Sequence, residues 1–189
     1  TFQTESRLID LYSEMGSTAV RIGIIGNQWE PVNDNEDPNV VNMDGFNYNA
    51  FDWDYFRSLK ERGVQTFILT SWSPPAWMKR NLSLDHKEQA TGWENTDNIL
   101  DPLYYEEFAE SMAALVKAFK EKANIDITAI GLQNEPFFNE PYPSAILSGP
   151  KFAELIKIVG DRFHKEGLDQ VGFYMPEQVF GIGWGDYSN

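Results

Sequence analysis

At 189 residues with 42% hydrophobic content, the chain is long enough to bury a core of domain size and is neither disordered nor fibrous in composition. The 29 acidic against 15 basic residues leave a formal net charge of -14 with no basic stripe, which excludes the usual electrostatics of a nucleic-acid binder. With no cysteine and two isolated histidines, His86 and His164, there is no disulfide scaffold and little with which to hold a soft metal, so neither metal nor organic cofactor is expected.

Leu8, Leu11, Tyr12 and Met15 recur at helical spacing and stop at Gly16, after which Ala19 to Ile25 reads as a short buried strand. Trp53, Phe56 and Leu59 mark a second helix closed by Gly63, followed by the β-rich run Val64 to Thr70. Asp101-Pro102 caps a third helix carrying Tyr105, Phe108, Met112, Leu115, Val116 and Phe119, and a strand over Ile125 to Leu132 follows. Pro150 opens a fourth helix with Phe152, Leu155, Ile156 and Val159, closed by Gly167, and Val171 to Met175 is the next strand.

Alternating helices and near-continuous apolar strands imply a parallel α/β sheet, either a barrel or an open doubly wound sheet. Loop lengths favour the (β/α)8 barrel. The joints from helix to strand are short, whereas the loops after strands, at 26–50, 71–101 and 134–149, are long and rich in Trp, Asn, Asp and Pro. No Gly-x-Gly-x-x-Gly or phosphate loop supports a nucleotide-binding alternative. A full barrel takes about 250 residues, so residues 1–189 are expected to form a single partial barrel domain, about half of the whole, with the rest in the same or another chain. Both ends look cut from something longer. No run reaches the ~20 apolar residues of a membrane span, and the first residues lack the regions of a signal peptide.

Chemistry concentrates at two strand ends. Gly131-Leu132-Gln133-Asn134-Glu135-Pro136 sets an amide and a carboxyl side by side where such barrels hold reactive groups. A carboxylic acid there is suited to protonating a leaving sugar oxygen, and the amide to holding a hydroxyl of the same sugar. Ser71-Trp72-Ser73-Pro74-Pro75-Ala76-Trp77-Met78-Lys79 stiffens an extended turn between two indoles, whose faces suit the apolar face of a pyranose. Trp29, Trp93 and Trp184 also fall in or near segments after strands, and Trp53 sits on a helix face. Arg21 interrupts a strand of Val and Ile, where a buried charge calls for a carboxylate partner. Asp34-Asn35-Glu36-Asp37 lacks the glycine of a calcium-binding hand and reads as a solvated acidic loop. Lys79 and Arg80 read as a solvent-facing pair.

Together, Trp72 to Lys79 and Gln133-Asn134-Glu135-Pro136 resemble glycoside hydrolase family 30 of clan A, from about Val20 to Glu177, with the agarase and porphyranase family 86 as second choice. The resemblance implies a retaining hydrolase of β-glycosidic bonds with a carbohydrate substrate. Glu135, on the fourth barrel strand, would be the general acid and base. Asn134 would hold the 2-hydroxyl, Trp72 would line the subsite, Trp77 would join it, and Arg21 would orient the nucleophile. Family nucleophiles stand on the seventh strand, so that residue is expected outside this chain. Glu177, just after the last strand, is expected to contact substrate and not to act as nucleophile. An extracellular or periplasmic location follows from the resemblance alone. The rival reading is a non-catalytic carbohydrate-binding or structural half-barrel.

Overall fold

The computed structural model describes residues 6–85, 90–91 and 96–174. The chain runs α1 (Ser6–Glu14), β1 (Ala19–Ile25), the single turn α2 (Gly26–Trp29), α3 (Trp53–Glu61), β2 (Thr66–Ser73) and β3 (Ala90–Thr91). It continues through α4 (Tyr105–Ala123), β4 (Ala129–Gly131), β5 (Phe138–Asn139), α5 (Gly149–Lys165) and β6 (Gly172–Phe173). The main sheet has the order β1-β2-β4-β6 and every pairing in it is parallel. Each strand lies beside the one that follows the next long helix, with none of the order reversal that marks a doubly wound sheet. That is the winding of a (β/α)8 barrel, here a section of one. The small strands β3 and β5 pair antiparallel, joining two of the long loops that follow main-sheet strands.

Glycines end three of the long helices where the sequence placed them. Gly16, Gly63 and Gly167 have φ of 70°, 100° and 71°, the left-handed conformation in which a side chain is strained. Helix α4 stops instead at Asn124 in the same conformation, φ 53°, with its N–H bonded back to Lys120 and Phe119. At the other ends, Asp52 accepts the Tyr55 N–H at 3.0 Å and Asp101 accepts the Leu103 N–H at 3.1 Å. Asp101-Pro102 thus opens a 3-10 turn over Pro102–Tyr104 that leads into α4.

Three strands differ in extent from the periodic reading, the last being Gly172–Phe173 among the described residues. β2 starts at Thr66, because Val64 belongs to the turn closing α3, its N–H bonded to the Leu59 carbonyl. The expected strand from Ile125 is paired over Ala129–Gly131. Ile125 and Ile127 are buried all the same, and the intervening Asp126 turns out to meet Lys120 at 2.7 Å, so a two-residue alternation arises from packing of the joint and not from a ladder.

The register sets two faces. Across the sheet Ile22, Leu69, Ile130 and Phe173 are successive partners, and Phe173 stacks on Phe163 of α5 at 6.2 Å. Leu69 and Ile130 are wholly buried here, under the helices. Wholly buried Ala109, Ala113, Ala114 and Ala118 let α4 lie close to α3 and α5, and Phe119 anchors an aromatic cluster 5.7, 5.2 and 5.1 Å from Phe51, Trp53 and Phe56. The next row, Arg21, Ile68, Ala129 and Gly172, alternates to the opposite face, the inside of the curve. Among the described residues no helix is long and apolar enough to cross a membrane.

Candidate active site

The segment after β4 is stitched to the end of β2. The Asn134 N–H donates to the Ser71 carbonyl at 2.7 Å, and Gln133 Nε2 donates to the Trp72 and Asn134 carbonyls, both at 2.9 Å. This brings the Asn134 side chain over β1, where Arg21 Nη2 donates to its Oδ1 at 2.6 Å. Donation into Oδ1 fixes the flip of the amide and makes Nδ2 its donor end. Arg21 also lies over the Trp72 ring, 5.9 Å from the centroid. The burial expected of Arg21 is not found: it is exposed, because it stands on the inner face of the sheet. Its described partner is an amide.

Trp72 reaches this face through a break in the ladder. Ile24 pairs with Ser71 and Ile25 with Ser73, so Trp72 is an extra residue on β2. Its indole lies across Gly23, where a Cβ would stand 2.6 Å from Nε1, so only glycine admits the ring. On its other side Trp72 is 6.2 Å from the ring of Tyr142.

Glu135 is half-buried and has φ 41°, one of three non-glycine residues with positive φ among those described. Asn124 is explained by its helix cap. Glu135 is held there by the Phe138 N–H, which donates to its carbonyl at 2.9 Å, at a cost of about 1 to 3 kcal/mol. Tyr142 approaches the carboxylates of Glu135 and Glu140, and burial, then these two charges, pushes its hydroxyl above the usual phenol range. Tyr142 was not singled out from the sequence. Its signal was there, a phenol between Pro141 and Pro143 in the loop that follows the acid.

Arg21 on β1 and Trp72, Asn134, Glu135 and Tyr142, at or after the C-terminal ends of β2 and β4, are therefore one neighbourhood. Trp77 has other surroundings: it is half-buried against the core, edge-on to Tyr104 at 5.4 Å, and Nε1 donates to the Glu30 carbonyl at 3.2 Å. Trp29 is 1% exposed, stacked on Phe46 at 4.8 Å, and so is core and not a sugar platform. Glu177, Trp93 and Trp184 lie outside the described residues.

Lys79 overturns the solvent-facing reading. It is 1% exposed, and Nζ donates to Ser144 O at 2.7 Å, Leu84 O at 2.9 Å and Ser73 Oγ at 3.2 Å. Burial lowers its pKa to about 7. Arg80 is exposed, as expected, and meets Asp101 at 3.4 Å. The amine thus ties the proline-rich loop after β2 to the loop that carries Tyr142. Among the described residues one group of acids has oxygens close enough to share a cation, Asp34 with Glu107 and Glu110, in the loop after β1 and on α4.

No family model matches the chain. It is 33% identical over 107 residues to an endo-1,6-β-D-glucanase of Neurospora crassa, covering 55% of this chain and 20% of that protein. An endo-1,6-β-D-glucanase of Aspergillus fumigatus is 32% identical over 111 residues, covering 52% and 21%. The chain thus spans about one fifth of the length of the curated relatives it matches. Among solved structures, SrfJ of Salmonella typhimurium superimposes with a TM-score of 0.73 at 18% identity, covering 94% of this chain and 40% of that one. A glycoside hydrolase family 30 subfamily 8 xylanase of Clostridium acetobutylicum gives 0.63 at 23%, covering 90% and 38%. The endo-β1,6-glucanase BT3312 gives 0.65 at 19%, covering 92% and 40%. The resemblance to clan A and its family 30 is borne out, by relatives over about half of the chain and by a shared barrel fold over most of it.

Proposed function

We propose that this chain carries the acid/base half of a retaining β-glycoside hydrolase acting on a β-1,6-linked glucan. The observation that carries the reading is the join between three strands: Arg21 of β1 lies over Trp72 of β2 and fixes Asn134 after β4, and the next residue, Glu135, is held in a left-handed backbone conformation. The names of the two sequence relatives support the substrate.

In this reading a glucosyl ring stacks on Trp72 and the Asn134 amide donates to a ring hydroxyl, an interaction that strengthens as positive charge develops. Glu135 gives its proton to the glycosidic oxygen as that bond breaks, while a second carboxylate attacks the anomeric carbon. Glu135, now ionised, then takes a proton from the water that releases the sugar. The nucleophile is expected from a later strand, as in the family pattern, and residues 1–189 are taken as one partial catalytic domain. Glu177 keeps its proposed role as a substrate contact. Trp77 acts from beneath the loop, supporting it more than touching sugar. An extracellular or periplasmic site of action belongs to the same proposal.

The test is product release from a linear β-1,6-glucan, a xylan and an agar-type galactan by the full-length protein and its Glu135→Gln variant. Cleavage of the β-1,6-glucan that falls about 10²- to 10⁴-fold in the variant is the expected result. Cleavage by Glu135→Gln at the parent rate overturns the assignment of Glu135, and binding without turnover by the parent favours the non-catalytic half-barrel.

A further inference from the structure

The loop that follows β1 and the start of α4 bring together acid without matching base. Asp34, Glu107 and Glu110 each offer a carboxylate oxygen, and these atoms lie within 4.8 Å of one another. Exposed acids often cluster with no consequence, but this group is interior. Glu110 is 1% exposed and Glu107 7%; their carboxyl groups hydrogen-bond each other, and no other group donates to either oxygen of Glu110, to Glu107 Oε2 or to Asp34 Oδ1. Buried acceptors left in this way require an explanation.

A second observation, independent of these three, points to a ligand. Glu30, also 1% exposed, has a buried Oε2 with no partner and lies within electrostatic reach of Asp34, Glu110 and Glu107. Asn33, whose amide bonds Glu107, has its own Oδ1 buried and unpartnered. Asp34 is set for the purpose: its Oδ2 takes the Asn42 N–H at 2.6 Å and Asn35 Nδ2 at 2.8 Å, which leaves Oδ1 for the glutamates. Gly45 permits that placement, since a Cβ there would stand 2.4 Å from the Asp34 Cβ.

Arg162 does not answer the charge. It is 4% exposed, its Nη1 donates to the Pro38 carbonyl and its Nε to Glu166 at 2.8 Å. Only Nη2 approaches the group, 4.0 Å from Glu110 Oε1, beyond hydrogen-bond length. Four carboxyl groups therefore face one guanidinium already shared with another acid.

We propose that Asp34, Glu107 and Glu110 bind one calcium ion that fastens the loop after β1 to α4, with the buried Glu30 adding negative charge nearby. The donor set is all oxygen and buried, which suits a cation that accepts an all-protein cage. Calcium takes about six to eight oxygen ligands, carboxylates among them, in a flexible cage, whereas magnesium demands near-octahedral geometry and keeps several waters. The ion would be structural. The sequence-based expectation of a metal-free protein and a solvated Asp34 loop is revised on this point, and the chemistry proposed for Glu135 is untouched by it.

The experiment is thermal unfolding and titration calorimetry of the full-length protein stripped with chelator, then given calcium chloride or magnesium chloride. Calcium at ~1 mM should raise Tm by about 5 °C if the site binds at ~10 µM, with a smaller effect of magnesium. Asp34→Asn and Glu107→Gln should each weaken calcium binding at least about tenfold. Both variants, losing a repelling charge, should be at least as stable as the parent in chelator, which checks that they fold. No calcium-dependent change in Tm and no heat of binding in the parent would overturn the site. So would a calcium response of parental size in Asp34→Asn, which would assign it to the acidic surface.

Discussion

Replacing Lys79 by Met should remove a pH dependence of stability that the parent shows above neutrality. The buried amine has a pKa of about 7 in the folded protein against 10.5 when solvated. Between those values the unfolded chain holds a proton that the folded chain has released, so parental stability rises with pH across this window. Below pH 7 both states are protonated and the cost of burying the charge is present in full; above 10.5 both are neutral and it is gone. One proton corresponds to about 1.4 kcal/mol per pH unit, and the whole window to about 5 kcal/mol. The three acceptors at 2.7 to 3.2 Å hold the charged form and narrow the window from its lower end. The assay is urea unfolding of parent and Lys79→Met from pH 6 to 10, reading the difference between them so that all shared titrations cancel. The variant loses a donor to three oxygens and is expected to be less stable at every pH; the informative quantity is the slope of the difference. Parallel profiles from pH 7 to 10 would refute the reasoning, since they would mean that the amine keeps its solvated proton affinity inside the protein.

Two further substitutions probe the site and the core. Gly23→Ala puts a methyl 2.6 Å from Trp72 Nε1 and 2.9 Å from its Cδ1, so the ring must move; we expect hydrolysis to fall about 10- to 100-fold with only a small change in Tm, checked by kinetics alongside thermal unfolding. Phe119→Ala empties the centre of the cluster formed with Phe51, Trp53 and Phe56, and should cost about 3 to 5 kcal/mol by urea unfolding.

The barrel winding was legible because it rests on local signals: helical spacing, the three closing glycines, and long loops confined to one end of the strands. The position of Asn134 and Glu135 just after a strand was legible for a related reason, since a polar group directly after an apolar strand has few places to go. What escaped was decided by partners distant in sequence. Lys79 beside Arg80 in a polar loop gives no sign of the carbonyls of Leu84 and Ser144 that close around it. Asp34 meets glutamates on a helix that begins some seventy residues later, so its loop looked solvated. Trp29 was misplaced because Gly26–Trp29 is one helical turn, too short for periodicity to reveal, and its stacking on Phe46 is a loop contact. Arg21 was correctly placed on its strand, but the inference that it must be buried assumed a sheet covered on both faces.

The extra residue at Trp72 governs how this site can change over evolutionary time. Because the indole occupies the one unpaired position between Ser71 and Ser73, its identity can vary while the ladder on either side stays in register. Losing that residue would leave Ser73 opposite Ile25 and remove the ring that lies across Gly23, whereas a change of length in the proline segment that follows would carry Lys79 away from its three acceptors and break the link to the Tyr142 loop. The ring at this position can therefore change by substitution, whereas insertion or deletion between β2 and Lys79 would take apart the join between the proline segment and the Tyr142 loop.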